Sequence, residues 1–479
     1  MAAFSGTARA TDARSADPFD LVVLGGGSGG YACALRAAQL GYTVAMVEKD
    51  KVGGTCLHRG CIPTKAMLHA AEVADSVRNG SQFGVHAAID KIDLAGVVSY
   101  ADSVVGRIYK GLSGLVSSRG ITVVHGAGSL TQLDGRPAVT VGDQLYQAPN
   151  LVLSTGSYAR SLPGLAIDGL KILTSEQALR LERLPASVIV LGGGVIGVEF
   201  ASAWRSFGVK VTILEALPRL VSGEDSAVSA ALERAFRKRE INVLAGAAMS
   251  ACQTTESGVR VSLADGRQLE AELMLVAVGR GPQTAGLGYQ EAGVDLKDGF
   301  VTVNERLETS VPGVYAVGDL VRGLQLAHRG FAHGIFVAEE IAHRAGALEQ
   351  APATIADVDV PRVTYCDPEI ASVGLSEDEA RTRFGDVETF SYDLAGNGKS
   401  QILKTRGFVK LVRSPSGPVV GIHMIGARVS ELVGEAQLIT NWDAFPSDVA
   451  GLIHAHPSQG EALSEAHLAL AGKPLHSHG

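Results

Sequence analysis

Two cysteines, Cys56 and Cys61, are separated by four residues in Gly53-Gly54-Thr55-Cys56-Leu57-His58-Arg59-Gly60-Cys61-Ile62-Pro63-Thr64-Lys65. That spacing lets two sulfurs meet across one helical turn or a bent loop, which permits reversible dithiol–disulfide chemistry. It fits neither the shorter spacing of thioredoxin-like sites nor a zinc knuckle. Structural zinc needs two further ligands at matched spacing. His58 lies between the cysteines, but no second Cys/His pair follows, and no metal is expected. Lys65 lies four residues beyond Cys61, a helical turn if the segment is a helix, where an ammonium stabilises a thiolate.

Near the other end stands Ile453-His454-Ala455-His456-Pro457-Ser458-Gln459-Gly460-Glu461. Thiol exchange needs a base to generate the attacking thiolate, and a histidine oriented by a carboxylate supplies one. Taken alone, His-x-His is more often a surface or metal-binding feature. His476 and His478 are expected to be solvated, and the lone Cys33, Cys252 and Cys366 to be small buried hydrophobes.

What must position these groups is visible in an internal echo. Leu21–Leu24 is an apolar run, followed by Gly25-Gly26-Gly27-Ser28-Gly29-Gly30, a helical pattern over Tyr31–Leu40, and a second run, Thr43–Val47, ending at Glu48. The order recurs at Val188–Leu191, Gly192-Gly193-Gly194-Val195-Ile196-Gly197, a helix through Phe207, and Val209–Leu214 ending at Glu215. In both copies the acid follows the middle glycine by 21 residues, 27 to 48 and 194 to 215. This is the dinucleotide-binding βαβ pattern. The first glycine permits the turn, the second lets N–H groups approach a pyrophosphate, and the third allows close helix–strand packing. The helix N-terminus favours the phosphates, and the acid accepts from ribose hydroxyls. One such motif is weak evidence; two in full context predict two bound dinucleotides.

Apolar runs also end in glycine at Leu151–Gly156, Leu273–Gly279 and Val314–Gly318. The first and third suggest a first nucleotide domain interrupted by the second and resumed near residue 281. From Pro361 onward, short strands (Val409–Val412, Val419–Met424) and helices indicate an α+β domain. The predicted fold class is α/β, with two Rossmann-like dinucleotide-binding domains and a C-terminal α+β domain. The 479 residues are too many for one core, and the 58 glycines suit nucleotide-binding turns. A net charge of −8 without a basic run argues against nucleic acid. No apolar run reaches the ~20 residues of a membrane helix, and five cysteines do not make a disulfide-stapled secreted chain. A cytoplasmic protein with a flexible leader over 1–18 is expected.

The stretch from Gly53 to Lys65, both fingerprints, Thr309–Asp319, Leu326-Ala327-His328 and His456–Glu461 resemble the pyridine nucleotide–disulfide oxidoreductases, over residues 19 to 474. The resemblance is strongest to the branch that oxidises dihydrolipoamide with FAD and NAD. It implies that Cys56 is the thiol that meets substrate, Cys61 the thiol that contacts the flavin, and His456 the acid/base oriented by Glu461. Lys65 would pair with Glu199 near the flavin. Gly25, Gly27, Gly30, Glu48, Lys65, Gly128, Thr155, Gly156, Asp319 and Ala327 would line the FAD site. Gly192, Gly194, Gly197, Glu199, Glu215 and Gly279 would line the NAD site. The implied domains are 19–158 with 281–352 for FAD, 159–280 for NAD, and 353–479 for dimerisation. The implied partners are a second copy, whose histidine completes the active site, and lipoyl domains of 2-oxo acid dehydrogenase complexes or the glycine cleavage system.

This chain has His58-Arg59 where Asn-Val is commoner, Thr64 where Ser is, and Pro457-Ser458-Gln459-Gly460 where Pro-Thr-x-Ser is. The alternatives are a glutathione- or mycothiol-type reductase, or a flavoprotein subunit without turnover. A reductase using NADPH needs cations where Glu215 stands, and Arg219 is the nearby residue able to offset that acid. A mercuric reductase would carry a C-terminal cysteine pair, and none follows Cys366.

Overall fold

Leu21–Leu24 and Ser187–Leu191 are buried apolar runs, too short for helices and each followed at once by glycine. Each forms the central strand of a five-stranded parallel sheet. They belong to a computed structural model that describes residues 19–476. The leader expected over 1–18 and the solvated His478 lie outside the described residues.

The described chain divides into two units. One takes the chain up to Cys56, Ile108–Tyr158 and Gly281–Thr354. The other takes Leu57–Arg107, Ala159–Arg280 and the chain from Ile355 onward. In the first, the sheet order is Val314–Ala316, Asn150–Leu153, Leu21–Leu24, Val44–Glu48, Thr122–His125. In the second, it is Ile172–Leu173, Leu273–Val276, Ser187–Leu191, Lys210–Glu215, Asn242–Ala245. The two orders are the same, with the acid-bearing strand on the same side of the fingerprint strand. Each unit also carries a three-stranded antiparallel meander, starting at Gly128 in the first and Met249 in the second.

The second unit adds an antiparallel sheet in the order Arg362–Thr364, Glu369–Gly374, Val419–Gly426, Phe408–Arg413, Glu388–Asp393. Phe200 and Trp204, with ring centroids 5.2 Å apart, anchor its largest core together with Phe236. Burying side chains of this size contributes roughly 1.5–3 kcal/mol each. The helix Cys61–Asn79 packs on the helix Val195–Ser206, burying Met67, Ala71 and Ala74 in that core. Core packing therefore fixes the helix that begins at Cys61 against the helix of the second nucleotide fingerprint. Among the described residues, no helix is long and apolar enough to cross a membrane.

Two expectations need correction. The first fingerprint helix begins at Ser28, not Tyr31: the Tyr31 N–H donates to the Gly27 carbonyl at 2.9 Å, closing the first turn over Ser28–Gly30, and a Cβ on Gly30 would sit 1.9 Å from the Gly25 oxygen. Cys33 and Cys366 are buried, but Cys252 is half-exposed, because its strand lies at the edge of a meander.

Candidate active site

The two glycine loops are built alike. Gly25 and Gly192 turn at φ +104° and +110°, where a Cβ would lie 2.4 Å from the Ser154 and Ala277 oxygens respectively. Gly197, like Gly30, leaves no room for a side chain: its Cβ would lie 2.0 Å from the Gly192 oxygen. Around Gly27 and Gly194, by contrast, a Cβ would meet nothing. Both are helix N-caps without side chains, at φ −72° and −77°, so the first N–H groups of each helix carry no side-chain cap.

The acids complete each loop. Glu48 accepts from the N–H of Gly26 at 2.7 Å and of Asp50 at 2.9 Å. Glu215 accepts from the N–H of Gly193 at 2.6 Å and of Leu217 at 2.7 Å. Uncapped helix N-termini beside open glycines fit a pyrophosphate, and each carboxylate keeps lone pairs for ribose hydroxyls. The residues present therefore fit two dinucleotides. Arg219 is committed elsewhere: its guanidinium donates to the carbonyls of Glu224 and Ser222 and to the Ser229 hydroxyl.

The other residues expected at the first dinucleotide site, Lys65 excepted, lie in the same unit. Thr155 donates its hydroxyl to the Gln283 carbonyl at 2.7 Å and meets the buried Tyr289 phenol at 2.9 Å. Asp319 accepts from the Ser157 hydroxyl. Gly156 turns at φ +76°, and Ala327 opens the helix Ala327–Arg344. Gly128 has a packing reason of its own, since a Cβ there would lie 2.8 Å from side-chain carbons of Leu24 and Val47. Gly279, at φ +102°, accepts from the Arg160 N–H.

The redox segment folds as two helices. Cys56 lies in Gly54–Arg59, Gly60 breaks the run at φ −134° and ψ −108°, and Cys61 opens Cys61–Asn79. Both cysteines are half-buried. Lys65 follows Cys61 by one turn, and its ammonium donates to both carboxylate oxygens of Glu199, at 2.9 and 2.8 Å. Burial alone would lower this ammonium's pKa. Glu199, with Cys61 and Tyr365 adding to it, outweighs burial and holds Lys65 above lysine's ordinary value. Glu199 also accepts from the Tyr365 N–H at 2.9 Å. That engagement turns its carboxylate toward Lys65, where the resemblance had also set Glu199 among the NAD ligands.

The two histidines of His454-Ala455-His456 take different carboxylates. His454 is mostly buried and pairs through Nε2 with Glu435 at 2.7 Å. His456, its side chain 79% exposed, pairs through Nδ1 with Glu461 at 2.8 Å. Glu461 opens the helix Glu461–Leu470, and its second oxygen accepts from the Ser458 N–H at 2.8 Å. Burial would raise this carboxyl's pKa, but Ser458 and His456 hold it below its ordinary value. The loop is moored from below. Asn397 donates to the Ser458 carbonyl, and Gln459 accepts from Ser400 and donates to the Ala427 carbonyl. His476 is exposed as expected, but its imidazole pairs with Glu465 at 2.8 Å.

Sequence reasoning missed Tyr365, Tyr289, the loop moorings and Tyr31. Burial, and then Cys56 near it, push the Tyr31 phenol up to about 12. Tyr31 directly follows the first fingerprint, and only that adjacency marked it.

The model of the pyridine nucleotide-disulphide oxidoreductase family matches residues 19–334, and that of its dimerisation domain matches residues 360–467. A dihydrolipoyl dehydrogenase of Bacillus subtilis is 39% identical over 478 residues, spanning 96% of this chain and 100% of the relative. One from Chlorobaculum parvum is 40% identical, over 94% of this chain and 97% of the relative. Among solved structures, LpdA from Mycobacterium tuberculosis superposes with a TM-score of 0.87 at 27% identity, covering 94% of this chain and 99% of that one. The HOCl-induced flavoprotein disulfide reductase RclA from Escherichia coli gives 0.82 at 25%, with the same coverage. With both nucleotide cradles, a dithiol segment and a dimerisation domain in place, the chain belongs to the pyridine nucleotide-disulphide oxidoreductase family, the flavin enzymes that couple FAD and NAD to a redox disulfide.

Proposed function

We propose that this chain is a dihydrolipoyl dehydrogenase, oxidising protein-bound dihydrolipoamide to lipoamide and reducing NAD⁺ through a Cys56–Cys61 disulfide. The observation that carries the reading is His456 held by Glu461 at 2.8 Å on a moored loop, in a chain whose Cys61 has an anchored ammonium one turn away. The names of the relatives support the substrate.

His456 takes the proton of a substrate thiol at Nε2, while Glu461 on Nδ1 stabilises the imidazolium. The resulting thiolate attacks Sγ of Cys56. The Cys56–Cys61 bond breaks, a mixed disulfide forms, and Cys61 leaves as a thiolate, its charge balanced by Lys65. The second substrate thiol then displaces Cys56: the leaving Cys56 sulfur takes the proton that His456 holds, His456 receives the proton of the second thiol, and lipoamide departs. FAD, when bound, supplies a two-electron relay from the dithiol to NAD⁺.

Gly25, Gly27, Gly30, Glu48, Gly128, Thr155, Gly156, Asp319 and Ala327 hold FAD, with Lys65 facing it. Gly192, Gly194, Gly197, Glu215 and Gly279 hold NAD, and Glu199 serves chiefly by anchoring Lys65. The domain division is 19–158 with 281–352, 159–280, and 353–479. The enzyme acts in the cytoplasm as a homodimer in which each His456 serves its partner's cysteines, on lipoyl domains of 2-oxo acid dehydrogenase complexes or the glycine cleavage system.

The test is an anaerobic titration of the purified flavoprotein. Dihydrolipoamide should bleach the flavin, raise a long-wavelength thiolate-to-flavin band that Cys61→Ser lacks, and support NAD⁺ reduction. Bleaching by reduced glutathione or mycothiol but not by dihydrolipoamide would move the chain to another substrate class. Bleaching by none of them would mark a subunit without turnover.

A further inference from the structure

Tyr365 enters the redox centre from a segment three hundred residues from Cys61 in sequence, and it does so twice. Its main-chain N–H donates to Glu199 at 2.9 Å, and the Lys65 ammonium lies 4.8 Å from the centroid of its ring. The residues around it are tied down. The Asp367 N–H donates to the Ser202 hydroxyl at 2.9 Å. Arg239 donates to that same hydroxyl and to the Asp367 carbonyl, each at 2.7 Å. The other arm of Arg239 reaches Asp75 on the Cys61–Asn79 helix and Ser206 on the Val195–Ser206 helix. One guanidinium thus joins the helix that begins at Cys61, the helix that carries Glu199 and the segment that carries Tyr365. The ring is held over Lys65 by this backbone anchoring.

We propose that Tyr365 is a positioning residue for the redox centre: its N–H orients Glu199 and its ring covers the Lys65 ammonium, fixing that charge one turn from Cys61. The inference rests on the reading of Cys61 as a redox thiol. An ammonium against a ring face is attracted by the ring quadrupole, even at a partly exposed site. The titratable groups facing Lys65 are Glu199 from the Val195–Ser206 helix, Tyr365, and Cys61 on its own helix. Glu199 alone would draw the ammonium toward itself; the ring on another side limits how far it moves from the sulfur. The role belongs to the ring face and not to the hydroxyl, so phenylalanine should replace tyrosine and an aliphatic residue should not.

The experiment measures residue-resolved alkylation of the reduced holoenzyme by iodoacetamide against pH, with mass spectrometry separating Cys61 from Cys56. Tyr365→Leu should slow Cys61 alkylation at neutral pH about three- to tenfold, on the scale of a cation–π contact, and move its half-maximal point upward in pH. Cys56 should change less. Tyr365→Phe should return Cys61 to the wild-type profile. If the leucine variant does not fold, Tyr365→Met gives the same comparison. A wild-type profile in the aliphatic variant, or a phenylalanine variant as slow as leucine, would overturn the proposal. Alkylation does not depend on the substrate, so failure of dihydrolipoamide to reduce the flavin sinks the proposed activity and leaves this result standing.

Discussion

The Nδ1 nitrogen of His456 lies 2.8 Å from Glu461, and the same carboxylate spans to the Ser458 N–H, so one acid sets both the ring and the loop that carries it. The imidazole is left with Nε2 for proton transfer. Glu461→Gln keeps an acceptor for the loop but removes the charge that favours the imidazolium. NAD⁺ reduction by dihydrolipoamide should fall on the order of 10- to 100-fold, and His456→Ala should cost roughly 10²–10⁴-fold. Dithionite should still reduce the flavin in both. Equal losses in the two variants would deny Glu461 a role that only supports that of His456.

A base acting across the dimer gives a sharp complementation result. Cys56→Ser and His456→Ala chains, co-expressed and purified through two tags, form a hybrid in which one site is intact and the other carries both lesions. Its turnover should far exceed that of either parent homodimer. Parental activity in a folded, flavin-loaded hybrid would show that the base acts within its own chain.

The glycine loops should fail separately. A Cβ at Gly30 or Gly197 would fall within 2.0 Å of a carbonyl oxygen of its own loop. Gly30→Ala should yield protein that purifies without yellow colour, whereas Gly197→Ala should keep its flavin and lose NAD⁺ reduction. Absorbance at purification and steady-state turnover distinguish the two. Normal flavin content in Gly30→Ala would be inconsistent with the first loop as the FAD cradle.

If Glu215 meets the ribose as proposed, it should set the choice of nicotinamide cofactor. At ~4 Å and an effective dielectric near 20, each pair of like charges repels by about 4 kcal/mol. After solvent relaxation, a preference for NAD⁺ over NADP⁺ on the order of a hundredfold should remain in kcat/KM. Arg219, bound to backbone carbonyls, does not relieve it. Glu215→Gln should narrow the ratio mainly by improving NADP⁺, and an unchanged ratio would remove Glu215 from that role.

Asp225 and Lys410 form a buried pair, the ammonium lying 2.9 Å from each carboxylate oxygen. Burial would raise the Asp225 pKa, but Lys410, then His423 and the N–H groups of Glu377 and Ala227, hold it below the ordinary value. A carboxyl whose pKa is lower in the folded state stabilises the protein above its unfolded pKa, and that stability is lost as pH falls. Lys410→Met should destabilise the protein by about 3–5 kcal/mol at pH 7. The gap between wild type and Asp225→Asn should shrink below about pH 4. Chemical denaturation at several pH values measures both, and a gap that stays constant to pH 3 would contradict the assignment.

The sequence made some of this legible because certain positions tolerate a single residue type. Gly25, Gly30, Gly192 and Gly197 are dictated by backbone approaches within a few residues, so spacing alone revealed both βαβ units and their acids. The Cys56–Cys61 spacing and the His456–Glu461 spacing are also local. Tyr365 above Lys65, and Lys410 on Asp225, join residues 300 and 185 apart in sequence, where no periodicity connects them. The edge position of Cys252 depended on a meander whose short strands give little pattern. Gln459, at the variable position of the motif and so without a signal in the sequence, moors the loop that carries His456 through both ends of its amide.

Glu48 and Glu215 have a consequence for turnover. Each acid braces its glycine loop through one backbone amide, that of Gly26 or Gly193, and the turn after its own strand through another, that of Asp50 or Leu217, so loop and turn are tied by the chain's own groups. Little ordering is left to offset binding, and release of a nucleotide need not collapse the cradle it leaves. For FAD, which stays, this matters once. For NAD⁺, which enters and leaves in every cycle, a cradle that keeps its form between visits spares the enzyme a refolding of the loop at each turnover.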